Sequence, residues 1–217
     1  MASERIIAFE ADDVTCEGIL ARPEAVAQAP GLVICHPHPL YGGDMHNAVV
    51  RGLAEAFAAE GFAVLRFNFR GVGQSTDRYD EGVGEQRDAR AAVEWLAAQA
   101  GVDPARLFLA GYSFGARVTL ALAATEPRLR GFIAVAPPVL HGEWPPLDSS
   151  RGAKIFLSGD RDSHVPLEVL ADRVRSLPAP KQLLIFPDTD HFFVGQECAV
   201  GQHALRLLRE FSPPITP

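Results

Sequence analysis

Gly111-Tyr112-Ser113-Phe114-Gly115 is a full G-x-S-x-G run, and it joins the apolar stretch Leu107–Ala110 to a helical pattern. A serine held in so tight a strand-to-helix turn has its hydroxyl pushed out above the sheet, where it can act as a nucleophile. The positions on either side must be small, because a Cβ at 111 or 115 would press on neighbouring backbone. The following helix aims its N-terminus at the serine, which favours negative charge developing there. Taken by itself the motif is only a Gly/Ser turn. The strand before it and the helix after it are what give it weight.

Other polar groups are read more plainly. His36, His38 and His46 invite a metal, since H-x-H can place two imidazoles on one side of an extended segment. No carboxylate pair and no cysteine ligand accompanies them, so we expect loop residues lining a cleft, with no metal and no cofactor. Arg70-Gly71-Val72-Gly73-Gln74-Ser75 is glycine-rich like a phosphate loop but lacks the G-K-[ST] ending, and reads as a structural turn opposite Ser113. Asp160 and Asp162 both follow the run Lys154–Ser158, and both residue types form turns. Cys16, Cys35 and Cys198 are widely spaced with no C-x-x-C pair, which implies neither a disulfide framework nor a zinc site.

The elements that must position these residues alternate along the chain. Ile6–Glu10 and Thr15–Ala21 have the alternation of an antiparallel pair. Gly31–Cys35, Phe62–Phe69, Arg106–Ala110, Phe132–Ala136, Ile155–Ser158 and Gln182–Phe186 read as strands. Helical spacing lies between them, over His46–Glu60, Gly84–Ala100, Gly115–Thr125, Pro166–Ser176 and finally Gln196–Phe211. Apolar strands alternating with helices mean a mostly parallel sheet in a single α/β domain, with chemistry at the carboxyl ends of the strands. Residues 1–4 and 212–217 read as loose termini.

From about Arg5 to Phe211 the chain resembles the α/β-hydrolase superfamily, and most closely the small capless bacterial serine hydrolases and esterases, relatives of the dienelactone hydrolases. Four ordered segments carry the likeness: His36-Pro37-His38-Pro39-Leu40-Tyr41-Gly42-Gly43, the turn at Arg70–Ser75, Gly159-Asp160-Arg161-Asp162, and Asp190-His191-Phe192-Phe193, arranged around the Ser113 elbow. The resemblance implies Ser113 as nucleophile and Asp162, rather than Asp160, as the acid that orients the base. It places the base in the loop after Gln182–Pro187, where His191 is the only histidine. His141, His164 and His203 read as solvated. The Phe114 N–H would supply one oxyanion donor. The other would come from the loop after Cys35, at the His38 backbone or alternatively Leu40 or Tyr41, since Pro37 and Pro39 have no N–H.

The superfamily's lid would fall after Phe132–Ala136, but only Val139–Ala153, containing Pro145 and Pro146, precedes the next strand. That is too little for a helical cap, so the cleft should be open, with Tyr41, Trp144 and Phe192 as its walls. Such a site suits a small-molecule ester with a short or exposed acyl group. Thioester or peptide cleavage on the same triad is the near alternative, and dienelactone-type chemistry is disfavoured by Ser in place of Cys. A non-catalytic binding protein on the same fold is the reading from a different class. The formal charge of −7, with acids and bases interspersed, argues against a nucleic-acid partner. The acidic N-terminus and the lack of a long apolar run argue for a cytoplasmic protein that does not enter a membrane.

Overall fold

The computed structural model describes residues 3–23, 26, 28–140 and 144–211. His141 and the tail 212–217 lie outside that range, as do residues 1 and 2. Strands β1 (Ser3–Ala11) and β2 (Val14–Arg22) pair antiparallel, from Ser3 opposite Arg22 to Ala11 opposite Val14. Ser3 and Glu4, expected to be loose, are therefore part of the sheet, and the Glu4 carboxylate meets Arg66 at 3.2 Å.

Six more strands follow: β3 (Ala29–Cys35), β4 (Ala63–Phe67), β5 (Val102–Tyr112), β6 (Leu129–Val135), β7 (Ala153–Gly159) and β8 (Lys181–Phe186). The described residues form one eight-stranded sheet in the order β1-β2-β4-β3-β5-β6-β7-β8. β2 meets β4 antiparallel, and every pairing from β4 through to β8 is parallel. Helices α1 (Ala48–Ala59), α2 (Gly84–Ala97), α3 (Phe114–Ala123), α4 (Leu167–Ser176) and α5 (Glu197–Phe211) make the connections. α1 packs with α5 and α2 with α3. Every residue of β3, β4 and β7 is buried, as strands covered on both faces must be. No helix among the described residues is long and apolar enough to cross a membrane.

Local chemistry sets the ends that matter. Asn47 Oδ1 accepts the Val49 N–H at 3.0 Å, so α1 starts at Ala48 instead of at the predicted His46. β4 stops at Phe67 because the next residues are used sideways: the Phe69 N–H bonds the His36 ring, and the Asn68 amide bonds Glu17. The Gly-rich turn that follows is pinned to β2, with the Gln74 N–H on Glu17 Oε1 at 2.7 Å and the Glu17 N–H on Ser75 Oγ at 3.1 Å. A carboxylate thus fills the place a phosphate would take in a nucleotide loop. Arg70 anchors the same turn from below through the buried Asp88 of α2, at 2.7 Å. Between β6 and β7 the described residues contain no helix.

Candidate active site

Ser113 stands between β5 and α3 with φ 54° and ψ −113°, outside the regions an ordinary L-residue prefers. Such a conformation costs on the order of 1–3 kcal/mol and persists only where its surroundings enforce it. The two glycines are part of that enforcement. A Cβ on Gly115 would collide with the carbonyl oxygens of Cys35 and His36, and one on Gly111 with the carbonyl of Gly115. The Ser113 N–H is tied to Val135 O at 2.8 Å, which holds the elbow against β6.

The turns after β7 and β8 are laced together. The Asp160 N–H bonds Phe186 O, the Arg161 N–H bonds Thr189 O at 3.0 Å, and the Thr189 N–H bonds Asp160 Oδ1 at 3.3 Å. That lacing brings His191 against Asp162. His191 Nδ1–H donates to Asp162 Oδ2 at 2.7 Å, and the Ser113 hydroxyl donates to His191 Nε2 at 3.0 Å. The tautomer follows from the network, since a carboxylate only accepts. Asp162 Oδ1 takes the N–H groups of His164 and Val165 at 2.8 and 3.0 Å, so the buried carboxylate is fully hydrogen-bonded and stays in place. The residue types alone left two aspartates competing, and the family resemblance favoured Asp162. Asp162 is the one bonded to the imidazole, while Asp160 serves the turn.

A serine, a histidine and a buried aspartate joined in this order can activate a hydroxyl. Residues 17–185 match the model of the X-Pro dipeptidyl-peptidase (S15) family. The chain belongs to the S15 family. Solved relatives share its whole fold. An alpha-beta serine hydrolase homologue from Coxiella burnetii is 33% identical with a TM-score of 0.84, covering 96% of this chain and 97% of that one. A serine hydrolase without a lid from Xanthomonas campestris is 34% identical with a TM-score of 0.83, covering 99% and 97%. An uncharacterized protein of Rickettsia prowazekii is 36% identical over 195 residues, 86% of this chain and 81% of its own. The protein is thus an S15-family α/β-hydrolase, of the same capless build as the Xanthomonas structure.

In this S15-family chain the segment after β3 forms a short 3-10 turn, Pro39–Tyr41, which consumes its own donors. The Leu40 N–H bonds His38 Nδ1, and the N–H groups of Tyr41 and Gly43 bond His38 O. Among the described residues no acceptor takes the His38 N–H. The Phe114 N–H opens α3 and, like any first-turn amide, has no partner within its helix. Phe114 and His38 thus keep N–H groups without an acceptor among the described residues, whereas those of Leu40 and Tyr41 are taken.

The histidines of that segment are structural. His36 is buried, its Nε2 accepts the Phe69 N–H at 3.1 Å, and its Nδ1–H donates to Pro37 O at 2.6 Å. Burial pushes its pKa down to about 4, so it stays neutral. His38 Nε2–H reaches the Tyr79 hydroxyl at 3.3 Å, and burial, with Arg117 nearby, holds its pKa below the ordinary value. Among the described residues, the three whose ligand atoms do converge are Asp162, His164 and His191.

Of the three predicted cleft walls, Phe192 lies beside the triad and Tyr41 lies against His38. Tyr41 is 87% exposed against the His38 ring, and Phe192 is 60% exposed with its ring edge-on to His191. Trp144 does not join them. Its ring stacks on Phe156 at 5.3 Å, lies under Arg173, and donates its N–H to Pro138 O at 3.0 Å. It packs the sheet between β7 and α4. A cavity of about 970 Å³ lies at the amino ends of β6 and β7, among Arg106, Leu129, Arg130 and Ala153, away from Ser113. Sequence reasoning missed Tyr79, Tyr112 and His164. Tyr79 steadies His38, Tyr112 binds the His191 carbonyl, and the His164 ring lies 4.7 Å from that of His191.

Proposed function

We propose that this protein hydrolyses carboxylic esters with short or exposed acyl groups through an acyl-enzyme on Ser113. The observation that carries this reading is the chain of hydrogen bonds from Ser113 through His191 to Asp162, at 3.0 and 2.7 Å. His191 takes the hydroxyl proton as Ser113 attacks the carbonyl carbon, and Asp162 stabilises the imidazolium that forms. The oxyanion rests on the N–H groups of Phe114 and His38, each such donor being worth about 10²–10³ in rate. His191 returns the proton to the departing alkoxide, then activates a water that releases the acid. The uncapped sheet and the exposed Tyr41 and Phe192 favour a substrate that meets the site at the surface over a long chain that must be swallowed.

Peptide-bond cleavage is the second reading, and the family match favours it. The same triad serves both, because the imidazolium can protonate a departing amine nitrogen as well as an alkoxide oxygen. A panel of p-nitrophenyl acetate, butyrate and palmitate, an acyl-CoA and an X-Pro anilide separates them. Turnover that is fastest on acetate or butyrate supports the ester reading. Turnover confined to the anilide would replace it with the peptidase.

A further inference from the structure

His164 lies outside the hydrogen-bonded chain, yet the loop after β7 delivers it to the chain's outer side. Its own N–H and that of Val165 hold Asp162 Oδ1, and this fixes the backbone from which the His164 ring projects. The ring sits 4.7 Å from that of His191, inclined by 42°, and its Nδ1 is 3.8 Å from Asp162 Oδ1. The His164 side chain is 63% exposed, whereas those of His191 and Asp162 are 13% and 0%. One ligand atom from each of the three lies within 4.8 Å of the others.

We propose that Asp162, His164 and His191 form an inhibitory site for a borderline transition-metal dication, with Zn²⁺ as the representative. The inference rests on the hydrolase reading for its consequence but not for the binding itself. Two imidazoles and a carboxylate are a donor set that suits zinc, with water as the fourth ligand. In a tetrahedral site such atoms stand about 3.3 Å apart, so the present spread must close by about 1.5 Å. The His164 ring, exposed and in ring contact only with His191 and Phe192 among the described residues, can supply that movement by rotation. The buried carboxylate and His191, now 2.7 Å apart, must part to about 3.3 Å.

The electronic consequence is specific. A metal on His191 Nδ1 takes the lone pair there, and the proton that Nδ1 carried moves to Nε2. The ring stays neutral, and Asp162 exchanges a hydrogen bond for a metal bond. Nε2–H then faces Ser113 Oγ with no lone pair to accept the hydroxyl proton. The metal silences the serine without touching it, by holding its partner in the wrong tautomer.

The test uses zinc chloride in a non-chelating buffer on the full chain, its His164→Ala variant and a Cys198→Ser control, Cys198 being the exposed thiol that competes as a metal ligand. Calorimetry should give about one zinc ion per wild-type chain. The rate of Ser113 labelling by a fluorophosphonate should fall about tenfold or more with zinc and recover on adding EDTA. His164→Ala should weaken zinc binding by about tenfold or more and remove the effect on labelling, each protein being compared with its own metal-free rate. Cys198→Ser should follow the wild type. Zinc binding and slowed labelling that persist in His164→Ala would overturn the proposal, as would no heat of binding up to roughly 1 mM zinc. Failure of Ser113 to label even without metal would contradict the hydrolase reading instead, and the calorimetric comparison would still decide the metal site.

Discussion

Tyr112 donates its hydroxyl proton to the carbonyl oxygen of His191 at 2.7 Å, so the residue before the elbow serine holds the backbone of the imidazole that faces it. The Tyr112 ring is buried, 5.7 Å from the His191 ring and 6.2 Å from that of Phe193. Tyr112→Phe keeps the ring and removes only the bond, worth about 1 kcal/mol. We expect kcat to fall about fivefold with KM little changed, because the loss falls on the alignment of His191. Steady-state kinetics on a short p-nitrophenyl ester would show it. A change confined to KM would place Tyr112 in substrate contact instead.

Asp162→Asn should separate chemistry from folding. The side-chain oxygen that accepts the N–H groups of His164 and Val165 is retained, so the thermal midpoint should move little. The other oxygen becomes an NH₂ that cannot accept the His191 proton and favours the wrong tautomer. A fall of about 10³–10⁴ in kcat is expected. A variant of wild-type activity would mean that Asp162 is not the orienting acid.

His36 should make the fold sensitive to acid. Its pKa is lowered from 6.5 to about 4 by burial, so the unfolded chain binds a proton in that interval which the folded chain refuses. Stability therefore decreases as pH falls through 6.5 and goes on decreasing to about 4, by a total on the order of 3 kcal/mol. Urea unfolding at about pH 7 and about pH 4.5 measures it. His36→Gln should be less stable at neutral pH and should show a smaller loss between the two. An unchanged loss would assign the acid sensitivity to other groups.

Gly115→Ala should be costly in a way that Gly42→Ala is not. The added methyl on Gly115 runs into the carbonyls of Cys35 and His36, whereas a Cβ on Gly42 meets nothing within 4 Å and is strained only by its φ of 78°. Forcing β3 and α3 apart should cost about 2 kcal/mol or more, a loss of about 4–8 °C in the melting midpoint. Equal midpoints for the two variants would contradict the tight elbow.

These sites were not equally legible. The elbow could be read because its constraint is local: two glycines, a serine, a strand and a helix lie within one short stretch. β3 and β7 could be read because burial on both faces leaves an unbroken apolar run. β5 starts at Val102 rather than Arg106, since Asp103 and Pro104 hide the extension that β3 recruits through a register shift. The pairing of His164 with His191 was out of reach, because it depends on two loops meeting after β7 and β8. Trp144 read as a cleft wall for want of any sign that Phe156 would face it. In the oxyanion segment the prolines were informative but the 3-10 turn was not, and it is the turn that uses up Leu40 and Tyr41.

The most direct measurement is mass spectrometry of the intact and digested protein after brief exposure to a fluorophosphonate. The account predicts rapid formation of a single adduct on Ser113 that is lost in His191→Ala, with both proteins folded. No adduct on Ser113 in folded wild-type protein, or an adduct that forms equally fast in His191→Ala, would contradict the proposed activation of Ser113 by His191.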